Sequence, residues 1–334
     1  MDGFNSSFID NKLIPLVLES AKLGSSKNDF FHLLESNKEE LKKNLSHYGA
    51  LLFRGFPLEG TGDFTQAIHS LGLGKFVDYI GGDSPRNKLN EGVYTSTEAP
   101  PSLKIPLHNE LSFVKYYPKN IYFFCEVAPK EKGETIIADA RKVLNSIRPE
   151  IRNRFVQKGL RYVSCYYYKS RTMEFLNKLQ PSHKSWIHVF ETDSKKEVEK
   201  KCLENEFEFQ WLKNDWLQIT QNRPAIMPHP ETAEEVWFNQ AHLYDFNPRL
   251  LGRWRYIGAK LFYCRKYTRL HEIYYGDNTT ISRSDLYNVL DALDSQTIAF
   301  PWKKGDLLVL DNVLTMHGRA TFQGKRRILT AMTS

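Results

Sequence analysis

A chain of 334 residues with 41% hydrophobic and 25% charged content has the make-up of an ordinary globular protein with room for one large domain. No apolar stretch approaches the roughly 20 residues of a membrane span, and the opening MDGFNSSFIDNK lacks the basic-then-apolar layout of a secretory signal. A net charge of +7 is spread along the chain, and its densest run, SKKEVEKK, is interleaved with Glu, which reads as a solvated helix face and argues against nucleic acid as a partner.

The predicted location is therefore cytoplasmic, away from membranes. The four cysteines, Cys125, Cys165, Cys202 and Cys264, form no CxxC pair, so neither a disulfide framework nor a zinc cluster is expected. Reduced thiols fit the same compartment.

In chain order, Ser36 and Glu39 form the pattern of a capping box for a helix over NKEELKKNLSHY, with Gly49 to stop it. ALLFRGF (50–56) reads as a buried strand, and a second helix is expected from Phe64 to Leu71, ending near Gly72. From about residue 100 short aromatic and β-branched runs alternate with turn signals. KNIYFFCEVA (119–128) and TIIAD (135–139) read as strands around the turn KEKGE, followed by a helix at Ala140–Ile147. EFEFQWL (206–212) and WLQIT (216–220) form a hairpin candidate, and RSDLYNVLDALDS (283–295) is helical. TIAFPW (297–302), LLVLDNV (307–313) and RRILTAM (326–332) complete the strands. There is no repeat, no linker and no regular strand–helix alternation. The pattern predicts a single domain, mainly β with helical decoration. Residues 1–100 give N-terminal support, and 101–334 form a jelly-roll core with a helical insertion at about 140–295.

Two constellations carry chemistry. In LHNEL (107–111), residues two apart on an extended strand share a face, so His108 and Glu110 would project together. An imidazole and a carboxylate supply two of the three ligands of a facial triad, which leaves metal positions open. Taken alone, a His-x-Glu is more often a surface pair. In DLLVLDNVLTMHGRATFQGKRRIL (306–329), a strand-like run delivers His317 to a Gly-containing loop before Arg326 and Arg327. A guanidinium there could grip an oxo-acid carboxylate with its fork; alternation turns one of the two arginines inward and the other outward.

These segments resemble a family. LHNELSF, APKEKGETIIADAR and WKKGDLLVLDNVLTMHGRATFQGKRRILTAM occur in the order seen in the taurine dioxygenase-like (TauD/TfdA) Fe(II)/2-oxoglutarate oxygenases, from about Arg54 to the C-terminus. WFNQAHLY (237–244) and YYGDNTTI (274–281) resemble segments of the hydroxylases of syringomycin-type peptide biosynthesis. The resemblance implies a double-stranded β-helix (a jelly roll of the clavaminate synthase-like kind), with Fe(II), 2-oxoglutarate and O2 as its reagents. By position it makes His108, Glu110 and His317 the iron ligands and catalytic centre, and gives Thr135 and Arg327 the cosubstrate. Glu110 stands where most of the family has Asp, as in a subset acting on amino acids. The related halogenases lack this carboxylate, so its presence implies hydroxylation or desaturation. Ala331, four positions after Arg327, replaces a second arginine of taurine-specific enzymes and argues against an aminosulfonate. The implied substrate is a small molecule, an amino acid either free or tethered to an acyl or peptidyl carrier protein.

Other residues admit two readings. Asn239, Gln240 and His242 are either substrate contacts or a hydrogen-bonded structural cluster, and Arg319 either meets a substrate carboxylate or makes a salt bridge on the barrel rim. His183, His188 and His229 are expected at the surface, Trp237 and Trp302 in the core. A zinc hydrolase would also use two His and one Glu, but usually from HExxH on a helix, which is absent. A catalytically inactive jelly-roll binding protein would have no need of this ligand set with its arginine.

Overall fold

The computed structural model describes residues 1–9, 13–77, 87–90, 92–96, 99–179, 184–263 and 270–334, without the side chains of 176, 178, 179, 259, 262 and 263. His183 and Cys264 lie outside the described residues. Two β-sheets face each other as a jelly roll, the double-stranded β-helix. The larger has eight strands in the order Phe4–Phe8, Leu16–Ser20, Ala50–Arg54, Leu307–Asp311, Asn120–Val127, Arg327–Thr333, Val93–Thr95, Lys88–Asn90. The smaller has four, in the order Ile298–Phe300, Thr135–Asp139, Thr315–Arg319, Ile105–His108.

Period-2 alternation sorts these strands into layers. Ile121, Phe123 and Cys125 point inward and pack with Ile137, Phe300 and Leu308 between the sheets. Tyr122 and Phe124 point the other way, against Phe64 and Ile68 of the helix Gly60–Leu71. On the smaller sheet, Ile136, Ala138 and Met316 face outward onto Val143, Val289 and Leu293 of the helices Ala140–Ser146 and Arg283–Gln296. Each sheet is thus packed against helices on its outer face.

The expected hairpin forms as Glu208–Trp211 and Leu217–Arg223, and joins Leu160–Tyr166 and His271–Tyr275 in a separate antiparallel sheet. Gly49 ends the helix Lys38–Tyr48 at φ 76°, as expected. The capping box does not form at Ser36. That residue is the last of an earlier helix, Lys27–Ser36, and its hydroxyl donates to the His32 carbonyl. The capping box belongs to Ser26 and Asp29. No helix among the described residues is long and apolar enough to cross a membrane.

The strand Thr315–Arg319 runs between Thr135–Asp139 and Ile105–His108, with a bulge against the latter. Close approach here requires Gly318. A Cβ at that position would sit 2.5 Å from the Ile105 carbonyl oxygen and 2.9 Å from that of Pro106. Gly318→Ala should therefore force the strands apart and cost about 1–3 kcal/mol in chemical denaturation. Gly62→Ala, where an added Cβ meets nothing within 4 Å, should cost nothing. Equal stability of the two variants would contradict this reading of the strand contact.

Candidate metal and anion site

The register of these strands builds the site. His317 pairs with His108 on one side and Ile137 on the other, and Arg319 pairs with Ile105 and Thr135. Leu107 and Met316 face the helices, so His108 and His317 turn into the sandwich. The two imidazole rings lie 4.5 Å apart, and His317 rests against Phe123 of the opposite sheet at 5.2 Å. Here the structure departs from the expected loop: His317 and Arg319 sit on a strand, not beyond one.

Glu110 arrives by a different route. The strand ends at His108, and Glu110 lies in the turn after it, followed by Leu111 at φ 53°. Strand alternation therefore does not align the pair. One donor atom each from His108, Glu110 and His317 nevertheless lies within 4.8 Å of the others. Nε2 of His317 is 3.8 Å from Oε2 of Glu110, too far for a hydrogen bond and close enough for both to reach one ion through bonds of about 2.1 Å. Nδ1 of His108 lies 2.9 Å from the Pro106 carbonyl; donating there makes Nε2 the lone-pair nitrogen. Glu110 and His317 are almost fully buried. Two neutral imidazoles and a carboxylate form a donor set that fits a divalent transition metal and leaves coordination positions open.

Thr135, Arg319 and Arg326 line one cleft with His108, His317 and Ser96. The Thr135 hydroxyl accepts a hydrogen bond from Nε1 of Trp302. Arg326 donates Nε to the Gly133 carbonyl (2.9 Å) and Nη1 to the Ser96 hydroxyl (3.4 Å). Burial and the neighbouring Arg319 cation push its pKa down to about 10, which still leaves it charged near neutrality.

Arg327, the residue matched by resemblance, lies outside the cleft. Its side chain is half exposed, and Nε pairs with Oε2 of Glu126 at 2.6 Å. Of the two adjacent arginines, the structure turns Arg326 inward. Ala331, matched through Arg327, packs on the outer face of the sheet and cannot reach the site. Four positions after Arg326 stands Thr330, buried and opposite Phe123, with a hydroxyl that has no hydrogen-bond partner among the described residues.

Of the proposed substrate residues, Asn239 and His242 are structural. Asn239 is fully buried and spans the Ala225 carbonyl and the Ala241 amide. His242 lies 2.8 Å from the Leu107 carbonyl through Nε2, and burial lowers its pKa to about 4, so it stays neutral. Gln240 donates to the Asn109 carbonyl. Together His242 and Gln240 hold the backbone that delivers His108 and Glu110. Arg319 lines the cleft, and its guanidinium donates to the carbonyls of Ala99, Pro100 and Leu103. His188 bonds Ser185 in a local turn. His229, expected at the surface, is buried and contacts Asp311 at 2.9 Å. Trp237 and Trp302 are core residues as expected.

A second, larger cleft of about 760 Å3 has Leu111, the residue after Glu110, in its lining. Phe113, Tyr116, Phe190 and Met332 line it, with Gln221, whose buried Oε1 has no hydrogen-bond partner among the described residues. Lys115, Lys119 and Lys201 stand around it.

A family model described as "Taurine catabolism dioxygenase TauD, TfdA family" matches residues 15–333. The dapdiamide synthesis protein DdaC of Enterobacter agglomerans is 35% identical over 288 residues, 86% of this chain and 83% of that protein. A clavaminate synthase-like protein of Arabidopsis thaliana is 28% identical over 307 residues, 91% of this chain and 87% of its own length. Among solved structures, the fold is similar to that of AAD-2 in complex with Mn(II) and N-oxalylglycine, with a TM-score of 0.56 at 12% identity, covering 99% of this chain and 96% of that one. It is also similar to PvcB from Pseudomonas aeruginosa, with a TM-score of 0.53 at 14% identity, covering 98% and 94%. A match across nearly the whole chain, on a jelly roll that gathers two histidines and a glutamate, makes this chain a member of the TauD/TfdA family, the Fe(II)- and 2-oxoglutarate-dependent dioxygenases.

Proposed function

We propose that His108, Glu110 and His317 hold the ferrous ion, that Arg326 and Thr135 hold the far carboxylate of 2-oxoglutarate, and that the enzyme hydroxylates an amino acid, free or borne on a carrier protein. The observation that carries the cosubstrate assignment is Arg326. It is a largely buried cation, hydrogen-bonded to neutral groups among the described residues, in the cleft that His108 and His317 also line. A buried guanidinium without a counter-ion is costly, and a carboxylate that reaches it is correspondingly well held. The Thr135 hydroxyl, already accepting from Trp302, directs its own proton toward that carboxylate.

When bound, the ferrous ion and 2-oxoglutarate activate O2 for attack on an unactivated C–H bond. The chain's part is geometric. His108 and His317 present nitrogen donors from paired strands, and Glu110 closes the face from the adjoining turn. Phe123 walls the His317 side with an apolar ring, which limits water around the donors. The large cleft is the place for the substrate, and Leu111, the residue bonded to Glu110, is part of its lining. An arginine is absent at both Thr330 and Ala331, which keeps an aminosulfonate out of this reading. The name of the dapdiamide synthesis relative fits an amino-acid-derived substrate. The lysines around the cleft suit an anionic substrate end or an acidic carrier. A cytoplasmic setting belongs to the same reading, consistent with the buried free thiols Cys125, Cys165 and Cys202.

Anaerobic binding of 2-oxoglutarate to the Fe(II)-loaded protein tests the cosubstrate assignment. Arg326→Ala should weaken binding roughly 30- to 1,000-fold, the range for removing one partner of a buried charge pair. Arg327→Ala should leave it within about twofold, as expected when an exposed ion pair is lost. The reverse pattern would move the carboxylate site to Arg327. His108→Ala and His317→Ala should each abolish 2-oxoglutarate turnover, and full activity in either would sink the metal assignment.

A further inference from the structure

Glu110 has no strand on which to sit, yet its carboxylate must meet the two imidazoles. Its backbone is held by one side chain. Oδ1 of Asn312 accepts from the Glu110 amide at 2.7 Å, and Nδ2 donates back to the Glu110 carbonyl at 3.0 Å. The same Nδ2 donates to the Pro118 carbonyl at 2.8 Å. One oxygen facing an N–H and one nitrogen facing two carbonyls leave no doubt about the orientation of the amide. Asn312 is fully buried, and its own carbonyl accepts from Nδ2 of Asn109 at 2.6 Å.

Asn312 therefore ties three things together. It sits in the turn that leads from Leu307–Asp311 into the His317 strand. It takes the place of a strand neighbour for Glu110. Through Pro118 it also pins the far end of the loop 111–117, which supplies Leu111, Phe113, Tyr116 and Tyr117 to the large cleft. The turn itself is braced separately. Oδ1 of Asp311 accepts from the amides of Val313 and Leu314, while Oδ2 meets His229.

We propose that Asn312 is a positioning residue that sets the Glu110 carboxylate against His108 and His317 and fixes the cleft wall to the metal site; the inference rests on the triad reading above. A side-chain amide with two donor hydrogens and one acceptor fills all three bonds, and no other residue of that size does so. Asp at this position keeps the volume and the acceptor, but turns an anionic oxygen toward two carbonyls.

Cobalt(II) binding to the metal-free full-length protein is the test, read by calorimetry and by the visible Co(II) spectrum well below the unfolding transition. Asn312→Ala should weaken Co(II) binding about 10- to 100-fold, the usual effect of removing a group that orients a ligand, and alter the spectrum. Asn312→Asp, which preserves the packing volume, should do the same and serves if the alanine variant does not fold. His229→Ala, which loosens the same turn without touching Glu110, should lower the unfolding temperature but keep wild-type Co(II) affinity and spectrum. Wild-type affinity and spectrum in folded Asn312→Asp would overturn the proposal, as would an equal loss of affinity in His229→Ala. Failure of the wild-type protein to bind Co(II) would instead remove the triad reading, and this inference with it.

Discussion

One antiparallel register, His317 opposite His108, underlies the rest of the site. Because side chains alternate with period 2, a one-residue slip would send one imidazole outward among the helices and break the pair. The same strand carries Arg319 two residues on, opposite Thr135, so a single pairing places both a metal donor and a polar cleft wall. Gly318 between them lets the backbone of the neighbouring strand come close enough for the two rings to face one ion.

The carboxylate and the anion site are supplied by other means. Glu110 lies past the end of its strand and is located through hydrogen bonds from Asn312, with Gln240 and His242 steadying the backbone just before it. These supports are uncharged, which suits a site where extra buried charge would compete with the ligand carboxylate. Arg326 lines the cleft beside Arg319, where it can meet a dianionic cosubstrate. The helices on the outer faces bury this interior, where each polar contact counts for more than it would in water.

Much of the fold was legible because its signals are local. The strands 120–127 and 135–139, the hairpin near 211–217 and the helix stop at Gly49 follow from alternation and turn chemistry within a few residues. His108 lies at the end of a strand whose parity can be read, whereas His317 is expected in a loop and found on a strand, and Thr135 is matched only through the resemblance. Arg326 and Arg327 could not be separated that way. They are adjacent, and a bulge between Arg327 and Ile328 disturbs the parity that would have chosen between them. Long-range roles were hidden altogether. Asn312, read as part of the strand 307–313, binds a residue 202 positions away, and His229, read as a surface residue, is buried by a distant Asp311. The misplaced capping box at Ser36 has a simpler cause: the preceding helix, with its own cap at Ser26, was not anticipated.

The central claim is that two strand histidines and one turn glutamate converge on a single metal ion. Anomalous diffraction at the iron edge, from crystals grown anaerobically with Fe(II) and 2-oxoglutarate, tests it most directly. The account predicts one strong peak within bonding distance of His108, Glu110 and His317, with the cosubstrate running from it toward Arg326. A peak ligated by other residues, or a cosubstrate lying away from this cleft, would contradict it.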